Sequence, residues 1–215
     1  MTSATLTGTA TPAATATLTP TAAAAIAATP ILGPIPVIGF VAPSGTGKTT
    51  LLRQLVPLLR QRGLAIGYLK HTHHRVEVDK PGKDSYEIRA AGASQVLLAS
   101  GERWVMQSAP LRPGPDPDLG EMLARFDPAL VDLILVEGFK GSDYPKLEVH
   151  RTALEKPYLY PQDPAIRALI TDGPPPFGAH PPLLPLANPA AIADFILALA
   201  GRGNPHPAKA SPSSP

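Results

Sequence analysis

PVIGFVAPSGTGKTTLLRQL, residues 36–55, sets a short apolar run, a glycine-bearing turn and the start of a leucine-striped helix in immediate succession. Residues 36–42 are apolar at nearly every position and rich in β-branched types, the pattern of a strand buried on both faces of a parallel sheet. Residues 49–63 place Leu51, Leu52, Leu55, Leu58 and Leu59 at helical spacing, with Arg53, Arg60 and Arg62 on the other side and Gly63 positioned as a C-cap. Pro57 falls inside this helix and predicts a kink. Between strand and helix, residues 42–49 read APSGTGKT, which is the pattern G-x-x-x-x-G-K-[ST] with alanine in the first glycine position. Gly45 and Gly47 let the backbone bend so that successive N–H groups converge on an anion, and the helix N-terminus adds partial positive charge. Ser44, Gly45, Thr46, Gly47, Lys48, Thr49 and Thr50 are therefore candidate phosphate contacts. Lys48 is placed to reach β- and γ-phosphates and the Thr49 hydroxyl to ligate Mg²⁺. Alanine at position 42 is compatible with this if its φ is negative.

Outward from this stretch, strands and helices alternate. Strands are predicted at 65–71, 95–99, 103–107, 132–138, 146–151 and 166–171. Helices are predicted at 84–91, 118–126 and 190–200, the last with Asn188 as N-cap before Pro189. Ser100, Gly101 and Glu102 form a hairpin turn between 95–99 and 103–107. Residues 110–117 hold four prolines and read as a loop. This alternation predicts an α/β fold, a mostly parallel sheet flanked by helices.

The chain has 215 residues, 28 of them proline, and no cysteine. Ala, Thr and Pro supply 26 of the first 36 residues. Such a segment offers too little bulky apolar surface to offset chain entropy, so 1–36 is expected to be a disordered leader. Residues 201–215 are again poor in apolar side chains and are expected to be a disordered tail, leaving 37–200 as one nucleotide-binding domain. The leader has no basic start or continuous bulky apolar run, as a secretory signal would. No segment reaches the roughly 18 apolar residues of a membrane span. A net charge of +2 from 19 basic and 17 acidic residues excludes a broad nucleic-acid surface driven by charge. The absence of cysteine excludes disulfides, iron–sulfur clusters and thiolate zinc sites, and fits the reducing cytoplasm.

Three further segments carry chemistry. Residues 132–138 (DLILVEG) end in Glu137, a carboxylate at a strand tip, where it can support Mg²⁺ or orient an attacking water; with Lys48 it forms the candidate catalytic pair. Residues 70–74 read KHTHH and are followed by DKPGKDS at 79–85. His71 and His73 share one side of an extended backbone and, with Asp79 or Asp84, can bind a divalent metal. Lys80 and Lys83 can instead clamp an anion such as a phosphate or a dithiolene-bearing pterin. Asp172, at the tip of a late strand, is placed to accept hydrogen bonds from guanine N1–H and the 2-amino group. Trp104 and Phe139 are expected to be packing residues.

These motifs together resemble the MobB family of molybdenum cofactor biosynthesis. The resemblance rests on APSGTGKTTLL, YLKHTHH, DKPGKDSYEIRAAGA, RWVM and VDLILVEGFK, and covers about residues 36 to 200. It implies a P-loop NTPase fold and a GTP-binding, usually dimeric adaptor with weak GTP hydrolysis and Mg²⁺ as the metal. The partner would be the guanylyltransferase that joins GMP to molybdopterin or its molybdate form. By matching position, nucleotide contacts fall on Gly45, Thr46, Gly47, Lys48 and Thr49, with Glu137 at the acidic position. His71, His73, Lys83 and Asp84 belong to the segment expected to contact pterin, nucleotide or partner. On the residues alone, a P-loop small-molecule kinase and a metal-insertion GTPase stay open as alternatives.

Overall fold

The computed structural model describes residues 33–74, 76–109, 116–175 and 178–202. Along the chain the elements are β1 (Val37–Val41), α1 (Lys48–Gln61), β2 (Ile66–Lys70), α2 (Asp84–Ala90), β3 (Gln95–Ala99), β4 (Trp104–Ser108), α3 (Leu119–Leu123), β5 (Leu133–Glu137), β6 (Lys146–His150), β7 (Ile166–Thr171), β8 (Leu183–Pro185) and α4 (Pro189–Leu199). A 3₁₀ turn at Thr152–Leu154 follows β6. Six strands form one parallel sheet in the order β2-β5-β1-β6-β7-β8, while β3 and β4 form a separate antiparallel pair. This is the mostly parallel sheet flanked by helices that was expected, with β1 at its centre and β5 inserted between β1 and β2. Phe40 of β1 and Lys70 of β2 both register with Glu137 of β5, so the three strands end at one level.

Alternating side chains divide the sheet's two faces. Leu133, Leu135, Ile38 and Phe40 point to the larger core, where Leu51, Leu52, Leu55 and Leu59 of α1 and Ile192, Phe195, Ile196 and Leu199 of α4 cover them. Ile134, Val136, Val37 and Tyr144 point to a smaller core under Leu119 and Leu123 of α3. Gly39 is needed there: a Cβ on it would fall 2.5 Å from the Tyr144 ring. α1 passes Pro57 without interruption and closes at Gly63, whose φ is +84° and whose N–H donates to Arg60 O. The Asn188 side chain accepts from the Ala191 N–H at 3.1 Å, the predicted N-cap of α4.

β6 is buried along its whole length although it reads KLEVH. Leu147 and Val149 enter the larger core, and the polar residues alternate with them and find partners on the other side. Lys146 donates to Lys140 O and to the Asp163 carboxylate at 2.9 and 2.8 Å, and Glu148 accepts the Leu159 and Tyr160 N–H groups, each at 2.8 Å. The His150 ring stacks on Tyr158. Burial pushes the Glu148 carboxyl above the usual glutamate range, and the two N–H donors oppose that shift.

Four findings amend the expectations. β8 and the 3₁₀ turn were not predicted, because Leu183 and Leu184 stand between prolines and read as loop; Pro185 is tolerated in β8 because that strand lies at the sheet edge. The packed region begins before residue 37, since Ile35 is buried in the smaller core. At the other end the Arg202 N–H still donates to Leu197 O. The remainder of the leader, the tail beyond Arg202 and most of the 110–117 loop lie outside the described residues. Phe139 is buried as expected, but Trp104 is 64% exposed. Among the described residues the Trp104 hairpin pairs with no other strand, and α2, which lies against β3, buries none of its own residues. Among the described residues, no helix is long and apolar enough to cross a membrane.

Candidate functional site

β1 delivers the chain at Ala42, which is buried and is not among the residues with positive φ, so its methyl group fits where glycine is usual. Gly45 and Gly47 then adopt φ of +83° and +88°, conformations that other residues resist. The Thr46 hydroxyl donates to Pro43 O at 3.1 Å and fixes the bend from inside, while the Leu51 N–H donates to Gly47 O and starts α1. Among the described residues, no side chain caps α1. Its free N–H groups and positive end therefore face the concavity of the loop. Lys48 folds back so that its ammonium donates to Ala42 O and Pro43 O at 3.3 and 3.4 Å. Both are neutral acceptors that a phosphate oxygen can replace with a stronger, charged one. Thr49 and Thr50 stand exposed at the first turn of α1.

The walls are charged. Burial lowers the Lys48 pKa, Glu137 opposes this, and Lys140 and Lys70 add to the lowering. These groups thus gather three ammonium ions and one carboxylate at the ends of β1, β2 and β5. Glu137 is oriented by the Tyr68 hydroxyl, which donates to it at 2.7 Å, and by Lys70 at 3.8 Å. Burial, then that hydrogen bond, pushes the Tyr68 hydroxyl above the ordinary tyrosine range. A carboxylate has about four lone-pair sites, so Glu137 keeps capacity for a magnesium-bound water. Thr49, Glu137 and the glycine-lined concavity are thus the groups that could hold a magnesium nucleotide.

Beside the loop lies an open cleft of ≈ 760 Å³, lined by Gly47, Thr50, Gln54, Arg151, Asp172 and Asn188 among others. Asp172 is on its wall, at the end of β7 as expected. One carboxylate oxygen accepts the Thr152 N–H at 2.9 Å and the Thr152 hydroxyl at 3.0 Å. The other lies 3.7 Å from Arg151. The Thr152 N–H holds its pKa below the usual aspartate range, helped by the Thr152 hydroxyl and Arg151.

Arg151, Tyr68 and Lys140 were not foreseen. Arg151 donates from Nε to Thr46 O at 3.0 Å, linking the 3₁₀ turn to the phosphate loop. Its signal was available: it follows a buried strand directly, at the edge where Lys48 and Glu137 gather. Tyr68 stands two positions before Lys70 on β2, and only the β2–β5 register reveals that both reach Glu137.

His71 and His73 are brought together, their ring centroids 4.7 Å apart. The carboxylate beside them is Asp116 and not Asp79 or Asp84. Asp79 is occupied locally, accepting the Ser85 hydroxyl and the Lys80 N–H. Lys83 and Asp84 begin α2, and their side chains make no hydrogen bond or ion pair with the phosphate loop among the described residues.

The chain is similar to several known proteins. The family profile of MobB, molybdopterin guanine dinucleotide synthesis protein B, matches residues 37–172. The chain is 42% identical over 167 residues to the molybdopterin-guanine dinucleotide biosynthesis adapter protein of Escherichia coli, covering 76% of this chain and 92% of that protein. Its counterpart from Haemophilus influenzae is 41% identical over 162 residues, covering 75% and 88%. A solved structure titled molybdopterin-guanine biosynthesis protein B superposes with a TM-score of 0.60 at 26% identity, covering 77% of this chain and 99% of that one. A structure of Bacillus subtilis MobB gives 0.58 at 26% identity, covering 77% and 98%.

Proposed function

The chain belongs to the MobB family, and from that premise we propose that it is a GTP-binding adapter in molybdopterin-guanine dinucleotide biosynthesis, holding magnesium GTP beside the guanylyltransferase that joins GMP to molybdopterin. Its compartment is the cytoplasm. The observation that carries the reading is the phosphate loop: Gly45 and Gly47 with positive φ, an uncapped helix start, and Lys48 resting on two neutral carbonyls. The N–H groups of this loop bind the phosphates, Lys48 bridges the outer two, and Thr49 and Glu137 hold Mg²⁺, which neutralises charge on the same oxygens. Guanine occupies the neighbouring cleft, where the free lone pairs of Asp172 accept from its N1–H and 2-amino group. Hydrolysis is weak because Glu137 is tied to Tyr68 and Lys70 and supports the metal instead of acting as a free base. The exposed apolar side chains of the β3–β4 hairpin, Leu97, Trp104 and Met106 among them, meet their counterparts in a homodimer.

Calorimetry with magnesium GTP and magnesium ATP tests this. Lys48→Ala removes charge-assisted hydrogen bonds worth roughly 1.5–3 kcal/mol each, so it should weaken GTP at least about tenfold. Asp172→Asn should narrow the preference for GTP over ATP while leaving the fold intact. Unchanged GTP affinity in Lys48→Ala would refute the site.

A further inference from the structure

We propose that His71, His73 and Asp116 form a binding site for a divalent transition-metal ion of the zinc, cobalt or nickel type, separate from the magnesium position at Thr49 and Glu137. The three ligand atoms lie within 4.8 Å of one another, with His71 the least exposed of the set.

His71 is held by the sheet itself. Its N–H donates to Glu137 O at 2.8 Å, continuing the β2–β5 ladder one residue beyond the strand. Gly138, with φ of +107°, permits the approach: a Cβ there would sit 2.7 Å from the His71 Cβ. The imidazole stacks on the Phe139 ring at 4.7 Å and 28°, and only 12% of the His71 side chain stays exposed. Phe139 is itself held with φ of +49°. One imidazole is thus positioned by a strand end, a glycine and an aromatic wall. Two residues on, where the chain bends, the His73 ring comes to 4.7 Å from that of His71.

Asp116 completes the set from a distant part of the chain. A single oxygen, Oδ1, lies 3.0 Å from His71 Nε2 and 3.4 Å from His73 Nδ1. A tetrahedral ion with bonds of about 2.0–2.1 Å spaces its donors about 3.3 Å apart, so the oxygen already stands at ligand spacing from both nitrogens. Two imidazoles and one carboxylate suit zinc, cobalt or nickel; magnesium and calcium favour oxygen-only sets. Three protein ligands leave a position open for water or an incoming donor.

The test uses untagged, chelator-treated full-length protein titrated with Co²⁺. One equivalent should bind with the visible d–d absorption of a low-coordinate site, Zn²⁺ should displace it, and a large excess of Mg²⁺ should not. His73→Ala and Asp116→Asn, both on exposed residues, should each weaken cobalt about 10- to 100-fold or more with an unchanged thermal midpoint. Three results would overturn the proposal: no stoichiometric cobalt on the wild type, displacement by Mg²⁺, or an Asp116→Asn titration identical to wild type. The last would reduce the cluster to a carboxylate hydrogen-bonded between two imidazoles.

Discussion

Phe40 in β1 is fully buried, whereas Trp104 in β4, a larger aromatic in a strand that is apolar over its first three residues, is 64% exposed. The runs VIGFV and WVMQS differ little in their strand-forming character. What separates them is the kind of connection that builds the sheet each belongs to. β1 is followed by a loop and a 14-residue helix that returns over the sheet, as a parallel crossover must. β3 reaches β4 through a turn closed by Ser100 and Arg103, too short to contain a second layer. Parallel strands therefore acquire their cover automatically, and a hairpin does not. A two-stranded sheet alone is marginally stable in water, so the arm from α2 to β4 is where the proposed homodimer contact would add most.

This contrast can be broken at both ends. Phe40→Ala opens a cavity in a closed core and should cost about 3–5 kcal/mol, read as a fall in the urea midpoint. Trp104→Glu should leave the monomer's stability within about 0.5 kcal/mol. It should instead weaken the proposed self-association about a hundredfold, or roughly 3 kcal/mol, by sedimentation equilibrium. A large loss of monomer stability in Trp104→Glu would mean that the arm is covered from within, and the two regions would no longer differ. The smallest effect probes the polar side of β6. Glu148→Gln loses one of two accepted N–H bonds and should cost about 1 kcal/mol. The Glu148 carboxyl is raised in the folded state, so its favourable contribution is complete below the unfolded value of about 4.3 and is lost as pH rises through the higher folded value. Melting curves across that range should show a smaller advantage of wild type over Glu148→Gln as pH increases.

Much of the sheet was legible because its strands are continuous apolar runs and its helices have a single apolar stripe. The phosphate loop was legible because glycine positions and Lys48 follow from local backbone geometry. Cover was harder to read: periodicity marks Trp104 as a strand residue and says nothing about what lies above it. The long-range pairs were also out of reach. Asp116 joins His71 and His73 across more than forty residues, from a proline-rich segment with no period of its own. Nearby carboxylates such as Asp79 were the better guess by spacing, yet Asp79 is consumed by Ser85 and Lys80 at the start of α2.

The guanidinium of Arg151 reaches in two directions, to the Thr46 carbonyl and toward the Asp172 carboxylate. One side chain thereby serves as a strut between the wall of the open cleft and the bend that cradles an anion. An occupant that draws Asp172 away, or competes for it, shifts the same strut and with it the carbonyl beside Gly47. The two halves of a nucleotide, ring and phosphate tail, would then report to each other through the protein as well as through their own covalent bonds.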